Sequence, residues 1–174
     1  YIVDTLDLEN QDGPFTLEIL SGSQDDTNAT FFYEGAMNKL QPYIDNGKLV
    51  VKSGQTSYTQ TAIQSWDSSK AQSRMDNLLS GYYTDDHLDI CLATSDCLTI
   101  GCISSLESMG YGDAANPFPL MTGQDAELAA IKNIITIIAV QRIISCSAIE
   151  RIISAVSRQI IISSFTSARV MSSI

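Results

Sequence analysis

Three short stretches of the sequence place carboxylate and amide side chains directly after an apolar run. The apolar runs are 15–20, 88–93 and 118–122, and each is followed by a helical pattern. Asp and Asn at the start of a helix satisfy free backbone N–H groups and suit the positive end of the helix dipole, so each stretch predicts a strand-to-helix corner. The polar residues are Asp26 and Asn28, Ser95 and Asp96, and Gln124 and Asp125. Because such corners meet at one edge of a parallel sheet, they predict a polar ligand site.

Trp66 is the one tryptophan of the chain and lies in the polar stretch 64–68, just before a second helical pattern. A flat aromatic side chain in a loop stacks on the C–H face of a sugar, while neighbouring carboxylates and amides bind the hydroxyl groups. The residues also fit plainer roles, in which Trp66 anchors its loop to the core and Asp26 and Asn28 only cap a helix. Both interpretations stay open at this point.

Catalysis and cofactor binding find little support in the sequence. Asp96 and Asp125 resemble an acid/base pair, but no His or Lys is predicted at the same rim, that is, the edge of the sheet where the three corners meet. The one histidine, His87, falls in a turn at the opposite edge of the predicted sheet. The glycines form neither a dinucleotide-binding fingerprint nor a phosphate-binding loop. The cysteines show no metal-binding spacing and are expected in the core: Cys91, Cys97, Cys102 and Cys146. We therefore predict no catalytic residue, no metal and no cofactor.

The net charge of the chain argues against a nucleic-acid partner. The 174 residues carry a formal net charge of −10, and no basic cluster overrides that total, which argues against nucleic acid. The longest apolar run near the end, 134–140, is too short to cross a bilayer. Tyr1 is not an initiator Met, so we expect a mature product or an excised piece.

The composition changes abruptly near residue 134. Residues 131–174 contain 14 Ile and 9 Ser but no Gly, Pro or Asp. A segment of this length in an α/β protein normally includes at least one turn-forming residue. We therefore predict one domain over residues 1–133, followed by an atypical Ile/Ser-rich tail, 134–174, whose sequence is doubtful as a native one.

Strand and helix patterns alternate along residues 15–133. Strands are predicted near 15–21, 48–52, 88–94 and 118–122, with helices at 25–44, 68–83, 96–109 and from 125 onward. This alternation predicts an α/β fold, an open parallel sheet with helices on both faces. Residues 1–14 are interpreted as a polar, acidic lead-in.

Residues 15 to about 133 resemble the carboxy-terminal lobe of type I periplasmic sugar-binding proteins of ABC transporters, in the branch that binds xylose, glucose, galactose or arabinose. The matching stretches are 21–29, 35–37 with 40–48, 66–67 before 71–79, and 123–127. The resemblance implies a monosaccharide ligand, an aldose, held between this lobe and an amino-terminal lobe missing from the chain. It also implies a membrane permease as partner and a periplasmic or extracellular location, associated with the membrane through the transporter.

The resemblance also implies a role for each candidate residue. Asp26 and Asn28 would bind sugar hydroxyls and Trp66 would stack on the ring. The remaining residues would lie at the ligand rim: Ser95, Asp96, Gln124 and Asp125. The chain departs from the family pattern at Thr27, Ser65 and Ser95, where the family usually has Asn, often has Arg, and commonly has Asn or Tyr.

Two other functions are compatible with the same fold. One is the effector-sensing core of a sugar-responsive transcriptional repressor, which would need a DNA-binding helix-turn-helix ahead of Tyr1. The other is an α/β enzyme that uses Asp96 or Asp125. A signal peptide upstream of Tyr1 would exclude the repressor, and turnover assays on sugars would test the enzyme.

Overall fold

The computed structural model describes residues 1–140, with side-chain environments for residues 1–135. Four strands form one sheet: β1 (Phe15–Leu20), β2 (Leu49–Val50), β3 (Ile90–Ala93) and β4 (Leu120–Met121). The order is β2-β1-β3-β4, and every neighbouring pair is parallel. The predicted parallel sheet is confirmed, although β2 and β4 are shorter than the apolar runs that predicted them.

The predicted helices are confirmed within a few residues at their ends. The helices are α1 (Ile2–Thr5), α2 (Thr27–Asp45), α3 (Tyr58–Thr61), α4 (Ser68–Tyr82), α5 (Asp96–Ser108) and α6 (Leu128–Val140), with a 3₁₀ turn at Gln64–Trp66. Side chains cap two of the long helices, because Asp26 accepts from the Asn28 N–H and Asp67 accepts from the Lys70 N–H. Each cap fixes the first turn of its helix at the end of the preceding loop.

Helices cover both faces of the sheet. Leu17 and Ile19 of β1 pack with residues of α1 and α2, whereas Leu20 packs with residues of α4 and α5. In β3, Ile90 belongs to the first cluster and Cys91 to the second. Alternate side chains of a strand point to opposite faces, so each strand contributes to two cores.

The amino-terminal segment corrects one expectation. Residues 1–14 are not simply a polar lead-in, because Ile2 and Val3 of α1 and the following Leu8 are buried in the core beside α2. The three apolar residues lie among acidic ones, so their periodicity is weak over such a short stretch. Burial against the sheet, rather than local pattern, determines the structure of this segment.

Helix α6 runs through residue 134, where the change in composition begins. The predicted boundary at 133/134 and the doubtful sequence of the tail therefore stay predictions, and residues 141–174 lie outside the described residues. Within residues 1–140, no helix combines the length and apolar character needed to cross a lipid bilayer.

Candidate functional site

The three predicted corners lie side by side at the carboxyl edge of the sheet. Strands β1 and β3 pair up to their last residues, Leu20 and Ala93, and the Thr94 N–H still donates to the Leu20 carbonyl at 3.2 Å. On the other side of β3, the Thr122 hydroxyl donates to the Ala93 carbonyl at 2.8 Å and accepts from its N–H at 3.1 Å. These bonds fix the second corner between the first and the third.

Asp26 and Trp66 meet at the first corner. One carboxylate oxygen of Asp26 accepts from the Trp66 indole N–H at 3.1 Å, and the other accepts from the backbone N–H of Asn28 at 2.9 Å. Asp26 therefore does cap α2, as the plainer interpretation held, and it also orients the indole ring. The Asn28 side chain is exposed in the first turn of the helix.

Asp96 connects the second corner to the third. Its side chain is 7% exposed, and a carboxylate oxygen accepts from the Glu127 N–H at 2.7 Å. Its own N–H donates to the Gln124 carbonyl at 2.9 Å. Asp96 thus lies beneath the loop 123–127 and holds it from below, while the side chains of Gln124 and Asp125 are exposed above it.

The electrostatics at Asp96 follow from this buried position. Burial is the main cause that raises the pKa of Asp96, and the nearby charge of Asp125 raises it further. The backbone N–H of Glu127 donates to the carboxylate and opposes both effects. Backbone donors therefore stabilise the charged carboxylate, whereas desolvation destabilises it.

Ser95 is buried, and its hydroxyl lies 3.0 Å from the Cys97 sulfur. Its carbonyl accepts from the hydroxyl of Thr99 at 3.0 Å, and the same hydroxyl lies 2.6 Å from the Thr122 carbonyl. Sequence analysis missed Thr99, which joins the second and third corners. The signal was available, since a Thr four residues after a helix start often bonds back to the first carbonyl.

Backbone strain concentrates at this edge. Among residues 1–140, five residues other than glycine have positive φ, and four of them form two consecutive pairs in the loops of the site. The pairs are Ser65 and Trp66, at 62° and 53°, and Asp125 and Ala126, at 97° and 58°. Left-handed backbone costs energy in such residues and is often retained at functional sites. This observation is independent of side-chain type and points to the same edge.

The seven candidate residues form two groups rather than one. Asp26, Asn28 and Trp66 are linked at the first corner, and the other four at the second and third corners. Within the part of the chain that the structure describes, no hydrogen bond joins a side chain of one group to a side chain of the other. They share an edge of the sheet, with neighbouring strand ends between them.

Other polar features lie elsewhere. His87 is at the amino edge, where its carbonyl accepts from Thr16 of β1, and it is half-buried rather than fully solvated because its ring contacts Tyr111 and the Pro117 carbonyl. A groove of about 610 Å³ beside α4, lined by residues that include Gln55 and Arg74, contains no candidate residue. Residues 1–140 contain no group of three acidic, His or Cys side chains placed to hold a metal ion.

The sequence of the chain matches that of a known family of proteins. A family profile for the periplasmic binding protein domain matches residues 2–143. The chain belongs to the periplasmic binding protein family. A relative in this family, the multiple sugar-binding periplasmic receptor ChvE of Rhizobium radiobacter, is 54% identical over 134 residues, which are 77% of this chain and 38% of that receptor. The multiple sugar-binding periplasmic protein SbpA of Azospirillum brasilense is 52% identical over 135 residues, 78% of this chain and 38% of that protein.

Solved structures agree with this periplasmic binding protein assignment. An ABC transporter solute-binding protein of Clostridium phytofermentans, with bound β-D-glucose, is 42% identical with a TM-score of 0.70, and the match covers 76% of this chain and 40% of that one. The chain thus spans about two fifths of the length of the periplasmic binding proteins it matches. The α/β lobe expected from the sequence is confirmed as a periplasmic binding protein fold.

Proposed function

We propose that the chain is part of the extracytoplasmic solute-binding component of an ABC sugar transporter, which binds a monosaccharide between two lobes and delivers it to a membrane permease. The observation that carries the proposal is the indole of Trp66, fixed by Asp26 at the first corner, on the same edge of the sheet as the exposed amide of Gln124 and carboxylate of Asp125 at the third corner. A sugar needs both an aromatic surface for its C–H face and polar groups for its hydroxyls.

Each candidate residue has a distinct role in this proposal. Trp66 stacks on the sugar ring. Asp26 keeps the indole oriented, and the remaining lone pairs of its carboxylate accept from a sugar hydroxyl. Asn28 donates and accepts from the exposed first turn of α2. Gln124 and Asp125 bind hydroxyls from the third corner. Asp96 is buried and supports that loop from beneath, and the buried Ser95 lies next to it in the chain. Both would contact the sugar only at the margin of the site.

The whole protein would close this rim with a second lobe. One lobe supplies one wall of a cleft, which explains why the candidate residues line an open edge rather than the groove beside α4. The relatives are named as sugar-binding periplasmic proteins, which favours a sugar as ligand and a location outside the cytoplasm. The solved structure with bound β-D-glucose favours an aldose. The same names favour a transport component over a transcriptional repressor, and the distance of His87 from the rim disfavours an acid/base enzyme.

Calorimetry on the full two-lobed protein tests the proposal. Asp125→Ala should weaken binding of the best aldose in a panel by roughly 30- to 1,000-fold, about 2–4 kcal/mol, because a carboxylate that accepts two hydroxyl hydrogen bonds in a dry cleft is lost. Asp85→Ala is the matched control. It removes the same charge from an exposed turn at the amino edge of β3.

The control should bind the aldose within about twofold of the wild type, because surface charges far from a ligand contribute little. If Asp125→Ala kept the wild-type affinity, the placement of the ligand at this rim would be wrong. If the wild-type protein bound no aldose, the proposed function itself would be wrong.

A further inference from the structure

The indole of Trp66 lies directly against the backbone of Gly22, the residue that follows the end of β1 by two positions. A Cβ atom added to Gly22 would lie 2.0 Å from Cη2, 2.2 Å from Cζ2 and 2.4 Å from Cζ3 of the ring. Side chains never approach a Cβ so closely, so the six-membered half of the indole occupies the space that any other residue would fill. Gly22 is buried, and the absence of its side chain gives the ring a flat support.

The neighbouring Ser23 fastens the turn that carries the indole. Its hydroxyl accepts from the Ser65 N–H at 2.8 Å and donates to the Asp25 carboxylate. Its carbonyl accepts from the Tyr58 hydroxyl at 3.1 Å. Ser23 is 1% exposed, so its own atoms in these bonds are shielded from water, while its partners Asp25 and Ser65 are exposed.

The turn that Ser23 fastens is strained. Ser65 and Trp66 both have positive φ, which a free loop would avoid. The hydrogen bond from the Ser65 N–H to Ser23 holds the first of the two residues, and the bond from the indole N–H to Asp26 holds the second. Two constraints therefore act on the indole itself, the bond to Asp26 and the contact with Gly22, and a third acts on the backbone of the preceding residue.

We propose that Gly22 and Ser23 are positioning residues that fix the orientation of Trp66 before any ligand arrives, and so set sugar affinity without touching the sugar. This inference rests on the proposed function, because it takes the Trp66 ring as the stacking surface. A preorganised ring binds more tightly, since its rotamer and loop entropy are not lost on binding. Gly22 and Ser23 therefore raise affinity through Trp66 alone.

The chain offers matched controls for both residues. Ser21 is a buried serine at the same strand end, but its hydroxyl bonds to Thr61 at 2.9 Å, and among the described residues it forms no hydrogen bond with Ser65 or the indole. Gly35 lies in α2 with nothing within 4 Å of its added Cβ. Ser21→Ala and Gly35→Ala thus repeat the two chemical changes without disturbing the ring.

The first measurement uses fluorescence of the 174-residue chain without sugar. Trp66 is its one tryptophan, so emission and acrylamide quenching report on that ring alone. Gly22→Ala and Ser23→Ala should shift emission to longer wavelength and increase quenching by about twofold, because a released indole gains access to solvent. Ser21→Ala and Gly35→Ala should retain the wild-type spectrum, even where they change thermal stability.

The second measurement uses calorimetry of the full two-lobed protein with the same panel of aldoses, which includes D-glucose and D-xylose. Gly22→Ala and Ser23→Ala should each weaken binding of the preferred sugar by roughly 10-fold or more, and the two controls by less than about twofold. Ser23→Ala introduces no steric clash, so it provides the test if Gly22→Ala does not fold.

The outcomes separate this inference from the function on which it rests. Wild-type spectra for both test variants, or altered spectra with wild-type affinity, would overturn the positioning role while leaving the sugar receptor intact. Wild-type protein that binds no aldose of the panel in calorimetry would instead overturn the proposed function, and the assignment of these residues to sugar binding with it.

Discussion

Replacing Asp96 by Asn and by Ala should separate the two forces that act on its buried carboxylate. The Glu127 N–H donates to the carboxylate at 2.7 Å, which stabilises the loop. Burial and the charge of Asp125 both disfavour the charged form and raise its pKa. Asn keeps an acceptor oxygen but removes the charge, whereas Ala removes both.

The magnitudes follow from these contacts. Loss of a hydrogen bond to a charged acceptor costs about 1.5–3 kcal/mol, so Asp96→Ala should lower the free energy of unfolding by roughly 1–2 kcal/mol after the desolvation penalty is relieved. Asp96→Asn exchanges a charged acceptor for a neutral one, a loss of about 1 kcal/mol, and regains a similar amount from desolvation and from Asp125. The Asn variant should therefore stay within about 1 kcal/mol of the wild type at neutral pH.

The pH dependence provides the sharper assay. Because the pKa of Asp96 is raised in the folded state, the folded chain binds more protons than the unfolded chain between the two pKa values. The contribution of Asp96 to stability is thus greatest below the unfolded pKa and is lost as pH rises through the folded pKa. Urea unfolding followed by circular dichroism, from about pH 3 to pH 7, should show the Asn variant gaining stability relative to the wild type as pH rises.

Two results would refute this reasoning. A stability difference between Asp96→Asn and wild type that did not change with pH would mean that burial does not penalise the carboxylate. Equal destabilisation by Asn and Ala at neutral pH would mean that the bond from Glu127 needs a full negative charge. In the background of Asp125→Asn the pH dependence should shrink, because one of the two causes has been removed.

Two further predictions concern packing away from the rim. Gly101→Ala should destabilise the chain by more than about 2 kcal/mol in urea unfolding, because its Cβ would lie 2.2 Å from the Ser68 carbonyl of α4; a loss of less than 0.5 kcal/mol, on the order of a surface change, would contradict this. Glu18→Gln should cost about 2–3 kcal/mol, because the fully buried carboxylate accepts from the N–H and hydroxyl of Ser53 and from Tyr83, and Gln leaves a single, uncharged acceptor oxygen for these three donors. Tyr83→Phe, which removes one donor, should cost only about 1 kcal/mol in the same assay.

The elements most readily predicted were those whose periodicity is strong. Strand β1 has six residues with an apolar pattern, and α4 has apolar residues on one face, so both were located within a few residues. Segment 1–14 was not, because three buried side chains in an acidic stretch give no clear period, and their burial depends on a sheet formed by later residues. Tertiary packing determines such segments, and local sequence carries little of that information.

At the candidate site, residue type was predictable but depth was not. Asp96 and Asp125 are both aspartates at similar positions in two corners, yet Asp96 is 7% exposed whereas Asp125 is exposed to solvent. The difference comes from the loop 123–127, whose left-handed residues fold it over Asp96. Positive φ at Asp125 and Ala126 has no sequence signature, because neither residue is a glycine. The support of Trp66 by Gly22 was equally hidden, since a glycine in a corner is expected for its backbone alone.

The two strained turns at this edge of the sheet are supported in the same way. In each turn a buried polar group from a neighbouring strand end holds the backbone, Ser23 for Ser65 and Asp96 for Glu127, while the exposed side chains take no part in that support. Among the described residues, the side chains of Gln124 and Asp125 form no hydrogen bond that supports the loop. Under the proposed function, sugar specificity can therefore change at these exposed positions, whereas the supporting groups are constrained by burial, since removing either leaves a strained backbone without its hydrogen-bond partner.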